Sequence, residues 1–283
     1  MSTRSRLNKV YPGPIEELLP ELTSRSVDCI FADPDYNVGV KYQGRSFTKQ
    51  FDEYIDSTIN WSQQCHRVLK DDGNFFIVNY PKNNAYLRAR YLDRAFAAVY
   101  EYVWVYNTNV GHSPRRFTTA HRTVLHCVKS EKNRFYKDAV AVPYENPTDR
   151  RIRALIGHGS RGRMPYSWYY HDLVKNVSRS KSFHSCQIPE DLSEMLFRAT
   201  TKKGDSVLVL FGGAGSELVV CQRLGLNWIS AEIVEEYRDL IARRLERGGE
   251  LPPAQRMLTS IRARQRALAG QKTLNGSETG AAN

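Results

Sequence analysis

Apolar residues along the chain form short, dense runs that are separated by longer amphipathic segments. The amphipathic segments repeat apolar residues every three to four positions, which predicts helices over Phe51–Leu69, Ala85–Val99, Pro189–Thr200 and Ser216–Leu224. The short runs predict strands at Val27–Ala32, Phe75–Asn79, Tyr102–Tyr106, Thr123–Val128, Val207–Phe211 and Trp228–Glu232, with a seventh at Lys9–Tyr11. Because strands and helices alternate, we expect an α/β fold with a mostly parallel, seven-stranded sheet that carries helices on both faces.

One interval, residues 136–183, has no clean periodicity and mixes basic with aromatic residues. Such a mixture, on a backbone that glycines make more flexible, suits phosphate contact and base stacking, although a solvated basic loop is the simpler alternative. Arg115 and Arg116, which precede a predicted strand, are further candidates for phosphate contact. The candidate DNA-binding residues of the interval are Arg150, Arg151, Arg153, Arg161, Arg163, Lys175, Arg179 and Lys181.

The charge balance also favours a polyanionic partner. The chain has 41 lysines and arginines against 30 aspartates and glutamates, a formal net charge of +11. This excess attracts nucleic acid, although a generally basic protein would show the same balance. No apolar run is long enough to span a membrane and no secretory signal is evident, so we expect a cytoplasmic protein without a membrane partner. The five cysteines form no CxxC pair, and no metal site is expected.

The strongest local signal is a glycine turn near the C-terminus. The strand Val207–Phe211 runs into Gly212–Gly215 and then a helix, and the next strand ends at Glu232. Glycines let the backbone approach a cofactor, and an acid after the second strand can hold ribose hydroxyls. The third glycine of the dinucleotide fingerprint is missing, which favours a nucleoside cofactor without phosphates. A purely structural turn and a nicotinamide-dependent oxidoreductase are the alternatives.

A second chemical signal lies near the N-terminus, where Asp33-Pro34-Asp35-Tyr36 follows a buried strand. Ligands gather at the carboxyl ends of strands in such sheets. The Asp33 carboxylate and the Pro34 carbonyl, which proline presents rigidly, can accept the two hydrogens of an exocyclic base amine. Tyr36 would stack on a base that has left the duplex. Orientation and electrostatics would supply the rate, without a covalent intermediate.

Together these motifs resemble the amino-group DNA methyltransferases, whose hallmarks are Asp-Pro-Pro-Tyr and Phe-x-Gly-x-Gly. His184–Pro189 is similar to a third motif of that family, and the order with the catalytic motif first resembles its beta group. Asp35 and Ser185 each stand where the family has proline. The resemblance implies a Rossmann-like methyltransferase sheet with permuted motif order and S-adenosyl-L-methionine as cofactor. It implies a cofactor pocket with Glu232 at the ribose, Gln187 at the methionine end, and Asp33, Phe211, Gly213, Gly215 and Ser216 along it.

The resemblance also divides the chain. It implies a catalytic half (1–135), a target-recognition insertion (136–183), a cofactor half (184–248), and a C-terminal helix with a disordered tail (249–283). Because resembling enzymes with aspartate first mostly modify adenine, it implies methylation of adenine N6 in double-stranded DNA. One alternative is an N4-cytosine enzyme, and another is an enzyme that acts on RNA. A third is a catalytically idle DNA-binding subunit, which the replacement of the motif proline by Asp35 would favour.

The resemblance bears on partners and location as well. It leaves open two partners besides duplex DNA, namely a second copy of the chain and a cognate restriction endonuclease that acts at the same site. It further implies a nucleoid-associated protein of a prokaryote or phage.

Overall fold

The computed structural model describes residues 3–106, 114–174, 182, 184 and 186–251. Its strands are β1 (Lys9–Pro12), β2 (Val27–Ala32), β3 (Lys41–Tyr42), β4 (Arg45–Ser46), β5 (Leu69–Asn79), β6 (Ala98–Val105), β7 (His121–Val128), β8 (Trp168–Tyr170), β9 (Ser206–Val209) and β10 (Asn227–Glu232). Its α-helices are α1 (Ile15–Leu18), α2 (Phe51–Val68), α3 (Pro81–Leu87), α4 (Asp93–Ala95), α5 (Lys137–Val140), α6 (Arg150–Gly157), α7 (Glu190–Thr200), α8 (Ser216–Arg223) and α9 (Glu235–Glu246).

The main sheet has the strand order β1-β10-β9-β2-β5-β7-β6-β8. The strands from β1 to β5 in this order are parallel, whereas β7 pairs antiparallel with both β5 and β6. The N-terminal β2 pairs directly with the C-terminal β9, with Cys29 opposite Val207. The two motif-bearing ends of the chain therefore meet at the centre of one sheet, and the predicted α/β fold with a large, mostly parallel sheet is confirmed.

Helices cover both faces of the sheet because side chains along each strand point alternately to opposite sides. On β2, Ile30 and Ala32 belong to a core that includes Trp61 of α2. Phe31 points the other way, and its ring lies 5.7 Å from that of Phe197 in α7. Every residue of β2 is buried, as expected of a central parallel strand.

The sheet has one strand more than the sequence predicts. β8, in the interval 136–183, pairs parallel with β6 at the edge of the sheet. Trp168 and Tyr170 are exposed and only Tyr169 is partly buried, so this edge strand carries no continuous apolar run. The interval also contains α5 and α6, which are too short to produce a clear helical period.

The predicted helix Ala85–Val99 is wrong in its bounds. The helical segment begins at Pro81, which suits a first helical position, passes through a π-helical turn at Arg88–Leu92, and ends at Ala95. Phe96 has extended backbone, and β6 begins at Ala98 and pairs with β7 along its whole length. The apolar period continues across this break because both segments pack against the same core.

Three cysteines and a tryptophan are part of the buried core. Cys29, Cys127 and Cys221 are buried, and so is Trp104, whose indole N–H donates to the His171 carbonyl at 2.8 Å. Within the ranges that the structure describes, no helix is both long and apolar enough to cross a membrane. Residues 252–283, which make up all but the first three residues of the predicted C-terminal helix and tail, lie outside the described residues.

Candidate active site

A cavity of about 570 Å³ opens at the carboxyl ends of β2, β9 and β10. Its size is typical of small-molecule sites. Both motifs line it, because the strand order places β9 between β2 and β10. The residues singled out from the sequence that line the cavity are Asp33, Pro34, Tyr36, Gln187, Phe211, Gly213, Ser216 and Glu232.

The glycine turn and Glu232 are joined by hydrogen bonds. Glu232 accepts from the Gly213 amide at 2.7 Å with one carboxylate oxygen and from the Val234 amide at 2.8 Å with the other. Burial raises the pKa of Glu232, and the hydrogen bonds from these two amides partly offset that rise. Gly213 has φ +50°, and a Cβ there would lie 3.2 Å from the imidazole of His184, so a side chain at this position would be strained and crowded.

Gly215 differs from the expectation that it lines the pocket. It is the N-cap of α8 with φ +75°, and a Cβ would lie 3.0 Å from Ile241. It is absent from the described lining of the cavity, so its structural role is to allow the turn into the helix. Gln187 is buried, and its side-chain oxygen accepts from the amide and hydroxyl of Ser182, both at 3.0 Å.

Three residues that the sequence interpretation missed hold the Asp33–Tyr36 loop. Tyr54 of α2 donates to the Asp35 carbonyl at 2.8 Å, and Asn79 at the end of β5 donates to the Tyr54 hydroxyl at 2.8 Å. Asn83 donates to the Tyr36 carbonyl at 3.0 Å. Asn79 at the end of the predicted strand Phe75–Asn79 and Asn83 shortly after it were the available signal, because β5 ends beside β2.

The Asp33 carboxyl is partly exposed to the cavity and lies in a mixed electrostatic environment. Burial raises its pKa to about 7; the hydrogen bond from the Tyr36 hydroxyl and the charge of Arg122 lower it, and Asp35 raises it. The Arg122 guanidinium lies 3.8 Å from the ring centre of Tyr80 and 5.0 Å from that of Tyr36. The Tyr36 hydroxyl is thus engaged with Asp33.

Carboxyl groups outnumber lysines and arginines along the described lining of the cavity, although the chain as a whole is basic. One Asp35 oxygen accepts from the Asn37 amide at 2.8 Å, while the other is buried without a hydrogen-bond partner in the described part of the chain. Glu217, missed in the sequence interpretation, also lines the cavity, and burial raises its pKa to about 8. Lys49 is the one lysine or arginine among the described lining residues. A cavity of this kind favours a cationic ligand.

The candidate DNA-binding residues lie apart from the cavity lining. Arg150, Arg151 and Arg153 are on α6, whose N-terminus is capped by Asp149. In the same insertion, Arg163 lies over the ring of Tyr166 at 4.2 Å. Arg115, Arg116 and Arg161 are exposed, whereas Lys175, Arg179 and Lys181 lie outside the described residues.

The chain is similar in sequence and in structure to known proteins. The chain is 29% identical over 237 residues to the DNA adenine methyltransferase YhdJ of Escherichia coli (strain K12), covering 81% of this chain and 79% of that protein. The cytosine-N4-specific PvuII DNA methyltransferase has a similar structure, with a TM-score of 0.65, 20% identity, and coverage of 83% of this chain and 85% of that one.

TTHA0409 of Thermus thermophilus, solved in complex with S-adenosyl-L-methionine, gives a TM-score of 0.59 at 17% identity, covering 87% and 95% of the two chains. Both structural likenesses confirm the fold. A family profile for N6 and N4 methyltransferases, described as DNA methylase, matches residues 27–243, well over half of the chain. The chain therefore belongs to the N6/N4 family of DNA methyltransferases.

Proposed function

We propose that the protein transfers a methyl group from S-adenosylmethionine to the exocyclic N6 amino group of adenine in duplex DNA. One observation carries this proposal: Asp33 and Pro34 line the same cavity as the glycine turn and Glu232. A cofactor at the turn and an amine at Asp33 would share one cavity, which positions the reactants for direct transfer.

The cavity residues fit this cofactor. Bound S-adenosylmethionine supplies a methyl group on a positively charged sulfur, and the surrounding carboxyl groups suit that charge. Gly213 lets the backbone approach a ligand, and the Glu232 carboxylate would hold the ribose hydroxyls. Phe211, Ser216 and Gln187 would complete the pocket, with Gln187 at the methionine end. TTHA0409 supports the proposal as a protein of the same fold that binds this cofactor.

Asp33 and Pro34 would orient the amine. The Asp33 carboxylate and the Pro34 carbonyl would each accept one amino hydrogen, which leaves the nitrogen lone pair unblocked. Hydrogen bonds from Tyr54 and Asn83 hold the loop, so little reorganisation is needed at the moment of reaction. Asp33, with a pKa of about 7, is also suited to receive the proton that the nitrogen gives up.

The DNA contact would come from the insertion. The exposed arginines of α6 suit phosphate contact, and the exposed rings of Tyr166 and Trp168 suit contact with bases.

Adenine is favoured over cytosine by the aspartate that begins the catalytic motif and by the similarity to an adenine methyltransferase, YhdJ. The N4-cytosine activity is the second candidate, since PvuII methyltransferase is cytosine-N4-specific. Both reactions need the same two acceptors for an exocyclic amine, so product analysis must decide between them.

The test combines methyl-labelled S-adenosylmethionine with mixed-sequence duplex DNA, followed by nucleoside analysis. We expect label in N6-methyladenine; label in N4-methylcytosine would change the base, and DNA binding without label would indicate an idle subunit. Asp33→Asn should lower the transfer rate by about 100-fold or more while cofactor binding persists, because a neutral amide oxygen accepts more weakly than a carboxylate and cannot take up the proton.

The matched control is Asp56→Asn, the same change at an exposed position of α2. It should transfer methyl groups at the wild-type rate. Full turnover by Asp33→Asn would refute the role assigned to Asp33.

A further inference from the structure

Glu217 is a buried acid in the cavity with no assigned role. It follows Ser216 in the first turn of α8, directly after the glycine turn. Its residue exposure is only 5%, and it is among the residues that line the cavity. An acidic residue in the first turn of a helix interacts favourably with the helix dipole. An exposed acidic residue would do so without the free-energy cost of burying a carboxyl group, so the dipole alone does not explain why Glu217 is buried.

No counter-charge in the described chain neutralises Glu217. Apart from its own backbone amide, no hydrogen bond or ion pair of the described residues reaches its carboxyl group. The positive charge of Arg244 acts on Glu217, but this guanidinium is engaged with Glu190 and donates to the Ala214 carbonyl at 2.8 Å. Asp33 and Glu190 add negative charge, so burial and these acids together raise the pKa of Glu217 to about 8. A buried carboxyl group without a partner, facing a cavity, indicates a ligand cation.

We propose that Glu217 accepts hydrogen bonds from the α-ammonium group of the cofactor's methionine moiety. The inference rests on the proposed function, which places the ribose at Glu232 and the sulfonium opposite Asp33. The methionine ammonium is then the remaining cation of the cofactor, and it lies beyond the sulfonium as seen from the ribose. Glu217 lies in the first turn of α8, which follows β9, and β9 is the neighbour of β2, the strand that ends at Asp33. A charge-assisted hydrogen bond of this kind also compensates the buried carboxylate.

The test measures dissociation constants by titration calorimetry for three ligands: S-adenosylmethionine, S-adenosylhomocysteine, and a deaminated S-adenosylhomocysteine that lacks the ammonium group. Glu217→Gln should weaken binding of the first two by about 10- to 100-fold, as expected for a hydrogen bond between charged groups. It should change the affinity for the deaminated ligand by less than about twofold. Glu236→Gln, the same change in the exposed first turn of α9, should leave all three constants unaltered.

Each outcome supports or overturns the assignment. Equal weakening of all three ligands would indicate a merely structural role, and weakening of S-adenosylmethionine alone would mean that Glu217 faces the sulfonium; either overturns the proposal. If the wild type binds none of the three ligands, the proposed function fails. If Glu217→Gln binds them all as the wild type does, only the ammonium assignment fails. Should Glu217→Gln not fold, the wild type must still prefer S-adenosylhomocysteine over its deaminated form by about tenfold or more.

Discussion

At the scale of single residues, burial determines what the acids of the cavity can do. Asp33 and Glu232 stand in recognisable motifs, yet the sequence gives no sign that Asp33 titrates near neutrality. That property arises from burial, which the Tyr36 hydrogen bond and Arg122 only partly oppose. Glu217 was missed for the same reason: an acid in a first helical turn is an ordinary feature until its surroundings are known.

The pKa of Asp33 leads to a pH prediction. As an acceptor, Asp33 must be ionised, so kcat/KM for methyl transfer should rise with pH through about 7 and then level off. Tyr36→Phe removes a hydrogen bond that favours the carboxylate, so the midpoint should move to higher pH. The ring of Tyr80 packs edge-on against that of Tyr36, with the ring centres 5.5 Å apart. The control variant Tyr80→Phe should therefore keep the wild-type midpoint. An unchanged midpoint in Tyr36→Phe would contradict this account.

At the scale of elements, Asp28 ties three neighbouring strands together. This buried residue of β2 accepts from Lys70 of β5 at 2.6 Å, from the Ser206 amide of β9 at 2.9 Å, and from Arg134. Burial alone would raise its pKa, but hydrogen bonds from Lys70, Ser206 and Arg134 outweigh burial and lower the pKa to about 2. The apolar pattern of the sequence predicted β2, β5 and β9. It could not predict this polar junction, because Asp28 and Ser206 lie 178 positions apart in the chain.

We therefore expect Asp28→Asn to lower the free energy of unfolding by about 2–3 kcal/mol at pH 7, because Arg134 and Lys70 lose their shared partner. The folded-state pKa lies below the ordinary value of 3.8, so this stability is complete above that pH and is lost as pH falls towards 2. In urea unfolding, the difference in free energy of unfolding between the wild type and Asp28→Asn should therefore become smaller as the pH falls. Asp93→Asn, which alters an exposed ion pair with Arg88, should have a much smaller effect.

At the scale of the whole molecule, the cofactor cavity and the basic insertion are distinct regions of one fold. The cavity lies at the ends of β2, β9 and β10, while β8 of the insertion forms the far edge of the sheet beyond β6. Cofactor binding and DNA binding should therefore be separable by mutation.

The triple variant Arg150→Gln, Arg151→Gln and Arg153→Gln should weaken DNA binding about equally across sequences. It should also reduce the salt dependence of binding, by roughly one slope unit for each phosphate that is no longer neutralised. The dissociation constant for S-adenosylmethionine should not change. A control with the same charge change uses exposed residues on or near elements of the other half of the sheet, Lys9, Lys203 and Arg243. Equal loss of DNA binding in both variants would show that net charge, rather than α6, is responsible.

The sequence by itself determined the fold class, the central strands and the two motifs, because alternation of apolar residues and turn chemistry are local properties of the chain. It did not determine the edge strand β8, which has no continuous apolar run and is defined by its pairing with β6. Nor did it determine the break between α4 and β6. Only the tertiary structure brought Asp33 and Gly213 to one cavity and buried Glu217 beside them. Strand order and burial depend on contacts between distant parts of the chain, and those contacts decide which acids carry an unusual pKa and face a ligand.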